Sequence, residues 1–470
     1  MREISQKQVI RKIKVINSHW ESGDVDLDIK RKNKRKYFDL FFPLVQAKVQ
    51  RAVVLMGPRR VGKTVLLWQT IQKLIVGGVS PKSIMYVSLD DPIFLPFSLE
   101  DLLDLYKEIF SVSDLSERVI IFDEIQYLKN WDVQLKVLVD NYKQTKFIAS
   151  GSAAAALNRK SKESGAGRFT DFMLPPLTFY EYLDLLKKVN SFFDLRDKQE
   201  ILRTWNIDGL NQEFIKYLNY GGFPEAVFSE EVQYDPQRYI QSDIIDKVLL
   251  RDLPSLYGIH DIQELNRLFY ALAYQTGNEV SLEKLSQSSG VAKNTIKKYL
   301  EYLEAAFLIR KVKRMDDSGK RFQRENFFKV YLTNPSMYTA LYGPVSEDDS
   351  LTLGSLVETA IFSQWMHNPQ VMDRIFYARW KGGKGEVDLV RLASNFKIIE
   401  CLEVKWSDQT NTLKNLIQFC TNCNLKTALI TTKTGEQESK VINGINLNFW
   451  ASSVYCFVVG YLIIQGKSIT

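Results

Sequence analysis

Ala52-Val-Val-Leu-Met56, followed by Gly57-Pro58-Arg59-Arg60-Val61-Gly62-Lys63-Thr64, is the stretch that decides the fold. The first five residues are an apolar run of β type, and Val65–Ile75 beyond the loop reads as a helix. Between them the loop spells G-x-x-x-x-G-K-[ST], in the strand–loop–helix setting that its mechanism requires. Glycines let successive backbone N–H groups curl round a phosphate, and the start of the helix adds a favourable dipole. Gly57 to Thr64 is therefore read as an ATP-binding loop. Lys63 would reach the β- and γ-phosphates, and Thr64 would turn its hydroxyl oxygen to Mg²⁺.

Working outward, Ser83–Leu89 is a second strand candidate that ends at Asp90-Asp91-Pro92, an acidic pair of the kind found in turns and helix caps. Val119-Ile-Ile-Phe122 is apolar on both faces, as a central parallel strand should be, and delivers Asp123 and Glu124 at its carboxyl end. Asp123 is placed to hold the nucleotide's Mg²⁺ and Glu124 to orient a water towards the γ-phosphate. Lys146–Ala149 is a further strand, ending at Ser150-Gly151-Ser152. Ser150 is either a hydroxyl sensing the γ-phosphate from the neighbouring strand or part of a plain turn. Ser164-Gly165-Ala166-Gly167-Arg168 is a loop presenting one arginine, either simply solvated or a finger acting on a neighbouring subunit's nucleotide.

The chain around this segment is 470 residues long, 45% hydrophobic and 25% charged, which excludes a disordered or collagenous protein. At roughly 150 residues per domain, that length corresponds to about three domains. Four cysteines, Cys401, Cys420, Cys423 and Cys456, cannot frame so long a chain with disulfides, which argues for a reducing compartment. The N-terminus offers no apolar signal core, and a cytoplasmic location is expected. Leu447–Ile464 is apolar enough to test as a membrane span; Asn448, Ser452 and Ser453 interrupt it, and it reads as buried elements of a C-terminal domain. Cys420 and Cys423 form a lone C-x-x-C without a second pair or nearby histidine, so packing is the reading ahead of zinc.

Residues 1–37 carry eleven basic residues against five acidic ones, densest at Lys30–Lys36. Such a leader is either a solvated segment or a nucleic-acid contact that gains affinity by releasing counterions. From Leu177 to about His260 apolar residues recur at spacings of three and four, a helical lid broken by Gly221-Gly222 and resumed at Phe223-Pro224-Glu225. Ser281–Ser289, Gly290 and Lys293–Ile309 read as helix, turn and longer helix, with Ile296, Leu300, Leu303 and Phe307 on one stripe. Asn294, Lys297 and Lys298 then face outward near the second helix's N-terminus, where a major groove would be read. Arg310, Lys311, Lys313, Arg314, Lys320, Arg321 and Arg324 follow like a basic hairpin wing. A winged helix over 261–328 is expected, for DNA contact or for structural packing.

Downstream, a helix over Gly354–His367 precedes strands at Ile375–Trp380 and Glu386–Leu392, joined by the hairpin signal Lys381–Gly385, and then a buried strand Lys397–Lys405. Alternation puts Glu403 and Lys405 on one face, with Asp388 on the neighbouring strand. Two carboxylates suit Mg²⁺ or Mn²⁺, and the lysine can position a nucleophile. Glu438-Ser439-Lys440 has the same spelling, so the apolar strand around 403–405 is what carries the signal.

Gly57–Thr64, Val119–Glu124, Ser150–Ser152, Gly167-Arg168 and Tyr220-Gly-Gly-Phe-Pro-Glu-Ala226 together resemble the prokaryotic predicted AAA+ ATPases that carry a nuclease-like C-terminal domain. The resemblance spans roughly 35–430. It implies an additional-strand P-loop fold, with Glu124 the catalytic carboxylate and Arg168 a finger in a homo-oligomer. The helix–hairpin–strand order is similar to the PD-(D/E)XK nuclease core. That likeness implies Glu358 on the helix, Asp388, and Glu403 with Lys405 as its polar set, Glu358, Asp388 and Glu403 being the metal ligands. Val387 stands where the motif name has proline.

The expected α/β organisation is a basic leader (1–37), an AAA+ core (38–176), a helical lid (177–260), a winged helix (261–328) and a nuclease-like domain (329–470). The expected activity is Mg²⁺-dependent ATP hydrolysis, with DNA as partner, no membrane, and a metal-dependent nuclease-like site gated by nucleotide state. The rival expectation is an NTPase switch that binds DNA or protein without cutting.

Overall fold

The computed structural model describes residues 5–31, 33–152, 167–195, 204–322, 326–380, 383–408, 413–435 and 439–467. The chain forms two compact units, Met1–Leu174 and Pro175–Thr470.

The first unit begins with helix α1 (Gln6–Ile16), opened by a reciprocal cap between Ser5 and Gln8. Val9 and Ile13 are fully buried on one face, while Lys7, Arg11 and Lys14 face solvent on the other. Helix α2 (Tyr37–Gln46) follows the Lys30–Lys36 run. The sheet then starts with β1 (Ala52–Gly57), the phosphate-binding loop and α3 (Lys63–Val76). Next come β2 (Ile84–Ser88), α4 (Leu99–Phe110), β3 (Val119–Asp123), α5 (Trp131–Asn141), β4 (Lys146–Ser152) and β5 (Phe169–Met173). All five strands run parallel in the order β2-β3-β4-β1-β5. Parallel strands need crossovers that cover both faces, which is why β1, β3 and most of β4 are buried apolar runs. Because β4 lies between β1 and β3, the carboxyl ends of all three converge beside the loop after Gly57.

The leader is packed against this sheet. Asn17 grips the outer strand β2 through Tyr86, its Nδ2 donating to the carbonyl at 2.8 Å and its Oδ1 accepting the N–H at 2.7 Å. Trp20 Nε1 donates to the Ile84 carbonyl at 2.6 Å. These bonds occupy backbone groups that an exposed edge would otherwise leave open to another chain. Charge counting weighed the leader as solvated or nucleic-acid-bound; the buried face of α1 shows a third use, as edge cover.

The second unit opens with α6 (Phe179–Leu185), α7 (Ile207–Tyr220) and the short α8 (Pro224–Phe228), which has proline in its first turn as expected. The Gly-Gly pair between α7 and α8 is a close-packed joint. A Cβ on Gly222 would lie 2.4 Å from Asn334 Oδ1, and one on Gly221 would lie 2.1 Å from Tyr217 Cδ2. Tyr217 in turn donates its hydroxyl to the Leu177 carbonyl at 2.9 Å.

Helix α9 (Ile262–Tyr274), β6 (Glu279–Ser281), α10 (Leu282–Ser289), α11 (Lys293–Ala305), β7 (Ile309–Met315) and β8 (Phe327–Leu332) follow. Helix α11 stops short of the expected Ile309. Phe307 turns left-handed (φ 58°), the Leu308 N–H closes on the Leu303 carbonyl at 3.0 Å, and β7 begins. The strand expected to open a new domain at Lys329 is instead β8, paired antiparallel with both β7 and β6.

Helix α12 (Ser350–Trp365) starts earlier than expected because Asp349 caps it, accepting the Thr352 N–H at 3.1 Å. The remaining elements are β9 (Ile375–Trp380), β10 (Gly385–Leu392), β11 (Ile398–Val404), α13 (Lys414–Asn422), β12 (Thr427–Thr432), β13 (Lys440–Ile442), β14 (Ile445–Ala451) and α14 (Ser452–Ile464). One 9-stranded sheet, β13-β14-β12-β11-β10-β9-β7-β8-β6, runs through the unit, with β9 parallel to β7. The apolar stretch 447–464 is thus the end of β14 and the buried α14, whose Phe457 meets Tyr180 edge-on at 5.6 Å. Among the described residues no helix is long and apolar enough to cross a membrane. Cys401 and Cys420 are buried free thiols with sulfurs 3.2 Å apart, so Cys420 packs against Cys401 across the sheet-to-helix contact.

Candidate functional site

The loop after β1 is shaped by its backbone. Arg60 (φ 63°) and Gly62 (φ 96°) are both left-handed, which turns the chain sharply before Lys63 opens α3. Gly57 has no room for a side chain, since a Cβ there would lie 2.3 Å from the Leu174 carbonyl oxygen. Pro58 and Val61 complete the curl, Val61 fully buried. Arg59 Nη2 donates to the Tyr127 hydroxyl at 2.9 Å. Arg35, from the basic leader, donates Nη1 to the Val61 carbonyl at 3.1 Å and so braces the loop. Buried Lys63 folds over the loop, its Nζ donating to the carbonyls of Gly57 at 3.0 Å and Pro58 at 2.9 Å.

Asp123 lies at the end of β3, 1% exposed, and is the centre of this site. Its Oδ2 accepts from Thr64 Oγ1 at 2.8 Å and from the Tyr86 hydroxyl at 2.7 Å. Its Oδ1 accepts the Glu124 N–H at 3.0 Å and the Ser150 hydroxyl. Ser150 therefore reaches the nucleotide site through Asp123. Burial, and then the adjoining carboxylate of Asp123, push the Tyr86 phenol well above its ordinary range and keep it a donor. Glu124 is left-handed (φ 52°) and held by Gln126, whose Nε2 donates to its carboxylate. Gln126 Oε1 accepts the Ser152 N–H at 3.1 Å, tying Glu124 to the end of β4. A hydroxyl and a buried carboxylate within 2.8 Å of each other are an all-oxygen pair suited to Mg²⁺. Thr64 and Asp123 would hold the ion, which would supply charge neutralisation between the β- and γ-phosphates.

Arg168 precedes β5, and Gly167 and Arg168 are described while Ser164–Ala166 lie outside the described residues. The register pairs Ala52 with Phe169 and Met56 with Met173, and the Arg168 carbonyl accepts the Ala52 N–H at 2.9 Å. Arg168 thus stands where β1 begins, whereas the phosphate loop lies where β1 ends, roughly 17 Å away at 3.3 Å per residue. It cannot reach its own subunit's phosphates. Its guanidinium is half-exposed and pairs with Asp140 at 2.9 Å.

The second unit gathers a polar cluster on β8, β10, β11 and α12. Glu358, Asp388, Glu403 and Lys405 come together, joined by two groups that sequence reasoning missed. Lys329 on β8 is 2% exposed and contacts Glu358 at 2.8 Å, Glu386 at 2.7 Å and Asp388 at 3.5 Å. The Tyr331 hydroxyl donates to Glu358 at 2.6 Å. The signal was available: Lys329 and Tyr331 share one face of an otherwise apolar strand. Lys405 pairs with Glu403 at 2.8 Å, and Asp388 Oδ2 accepts the Val404 N–H at 2.8 Å beside an irregularity in β10 between Val387 and Val390.

Burial and then the charge of Asp388 push Glu403 up to about 8, with Lys405 opposing. Burial pushes Glu358 up to about 7 against the pull of Lys329. For Lys329, burial works downward but the surrounding carboxylates, Glu358 first, raise it well above the ordinary lysine value. Glu403 Oε2 is buried without a hydrogen-bond partner, an oxygen turned to an unfilled role. Among the described residues, however, no group of three or more His, Cys, Asp or Glu side chains is arranged to hold an ion. The oxygens have the right chemistry, but the Lys329 ammonium already lies against both Glu358 and Asp388. Of the look-alike triplet, Glu438 lies outside the described residues and Lys440 is on the exposed strand β13.

Residues 49–183 match the AAA domain family, and residues 211–348 match a domain of unknown function, DUF8612. Two uncharacterized proteins of Methanocaldococcus jannaschii are similar to this chain. One is 28% identical over 73% of this chain and 72% of its own length; the other is 26% identical over 83% and 82%. An uncharacterized protein of Haemophilus influenzae is 30% identical over 58% of this chain and 65% of its own. The AAA match, the parallel sheet and the loop after β1 agree: the first unit carries a nucleotide-binding P-loop domain of the AAA class.

Proposed function

We propose that this protein is a Mg²⁺-dependent ATPase of the AAA+ class that binds DNA through its second unit and couples nucleotide state to a nuclease-like site there. The carrying observation is Asp123, buried at the end of β3 with Thr64 Oγ1 at 2.8 Å and Glu124 next in the chain. In this reading the loop amides and Lys63 seat the phosphates, Thr64 and Asp123 seat the ion, and Glu124 orients the attacking water. Retention of radiolabelled ATP by the full chain, with phosphate release, tests it. Lys63→Ala should abolish both; a variant that keeps ATP as well as the wild type would sink the proposal.

For the second unit, β6–α10–α11–β7–β8 supports a winged-helix reading, with Lys297 and Lys298 exposed on α11. The order α12–β9–β10–β11–α13–β12 and the meeting of Glu358, Asp388, Glu403 and Lys405 support the nuclease-like one. Lys329 among the carboxylates favours the alternative, an NTPase switch that binds DNA or protein without cutting it. Plasmid nicking with Mg²⁺ or Mn²⁺ separates them. Cutting that vanishes in Asp388→Ala and Lys405→Ala supports the nuclease, and intact plasmid under every nucleotide condition supports the switch.

A further inference from the structure

A groove of about 950 Å³ opens beside the β7–β8 hairpin, away from the polar cluster just described. Among the described residues Lys313, Arg314, Lys320 and Arg321 line it, with one carboxylate, Asp373, which pairs with Arg310. Four phenylalanines also border it: Phe376 is buried, while Phe322 at 48%, Phe327 at 47% and Phe396 at 58% are exposed. Exposed phenylalanines gathered on one charged face are unusual for a surface that meets only water.

The rings are held in place by the cations. Arg314 lies over Phe322 at 5.3 Å and Phe327 at 5.6 Å, and Arg321 lies over Phe396 at 4.6 Å. Phe396 adopts a left-handed backbone (φ 62°) at the tip of the β10–β11 turn, closed by its N–H on the Ala393 carbonyl at 2.9 Å. A left-handed backbone is uncommon for so bulky a residue, and the ring it carries is exposed. Arg314 is fixed as well: Nε and Nη2 donate to the Arg379 carbonyl at 3.0 and 2.8 Å. From there ion pairs continue through Glu279 (3.5 Å), Arg379 (3.4 Å) and Glu386 (3.4 Å) to Lys329 (2.7 Å). The groove and the candidate cluster are thus two ends of one charge network.

From this we infer that the groove takes an unpaired nucleic-acid strand, its bases stacking on Phe322, Phe327 and Phe396 and its phosphates meeting Lys320 and Arg321 beside them. Duplex DNA hides its base faces within the stack, so exposed rings add nothing to duplex binding; a single strand offers both faces. The inference rests on the reading of the second unit as a nucleic-acid binder and names its substrate class.

Fluorescence anisotropy of the full chain in EDTA, with labelled twelve-residue oligothymidylate, oligouridylate and a twelve-base-pair duplex, tests it. Phe322→Ala and Phe396→Ala, both exposed and safe for folding, should each weaken oligothymidylate binding roughly 5- to 100-fold and leave duplex affinity unchanged. Arg321→Ala should also reduce the salt dependence of single-strand binding. Loss of oligouridylate in parallel would show a strand-generic site, and loss of oligothymidylate alone a DNA-specific one; both support the inference. Phenylalanine variants that bind the single strand like the wild type would overturn it while duplex binding still stood. Absence of binding to all three probes would overturn the nucleic-acid reading itself, leaving ATP retention as a separate measurement.

Discussion

Glu124 and Asp123 are neighbours with different work. Asp123 is buried and saturated with donors, while Glu124 is turned out by its left-handed backbone and held by Gln126. Glu124→Gln should therefore keep ATP binding and lower the turnover rate by about 10²–10⁴, the usual range for losing a positioned base. Filter binding against phosphate release reads the split; a matching loss of binding would reassign the residue. In the second unit, Glu403 and Glu358 hold protons at pH values where the unfolded chain has released them. A carboxyl raised from 4.5 to about 8 supports the fold most below its unfolded value and loses that support as pH climbs through 8. In metal-free buffer, Glu403→Gln should gain stability relative to the wild type between pH 5 and pH 9. Melting midpoints measured across that range check this, and a pH-independent difference would contradict the assigned burial.

At the scale of elements, the Gly221-Gly222 joint between α7 and α8 is the place where a single methyl matters. Gly222→Ala would push a Cβ to 2.4 Å from Asn334 Oδ1 and should destabilise the second unit by about 1–3 kcal/mol, read by denaturant midpoint. Helix α1 offers the complementary case. Ile13 is fully buried, so Ile13→Ala should cost about 2–5 kcal/mol, an outcome foreign to a solvated leader. These two sites also show what the sequence could tell. The nucleotide loop, β1 and β3 were legible because a spacing motif and two apolar runs encode them locally. The α1 edge cover was not, because Val9 and Ile13 are two apolar residues inside a run whose charges dominate any count. Tyr86 and Gln126 were missed for a related reason: each reaches its partner from another strand or turn, and only strand order reveals that; for Lys329 the strand pattern marked the residue but not which carboxylates it meets.

For the whole molecule, Arg168 stands at the far end of β1 from its own phosphate loop, so any action on a nucleotide must be on another copy. Arg168→Ala should hydrolyse poorly, and so should Lys63→Ala, yet mixing the two should restore activity, since one supplies the loop and the other the arginine. Phosphate release from the mixture, set against each variant alone, decides it; no recovery would return Arg168 to its surface pair with Asp140.

The parallel pairing of β7 with β9 has a last consequence. The ladder passes without a break from the strands beside the two-helix turn to those bearing Asp388 and Glu403, so there is no seam at which scissors could be applied. A fragment starting after β8 would bare the flank of β9 and clump with its own kind instead of standing alone.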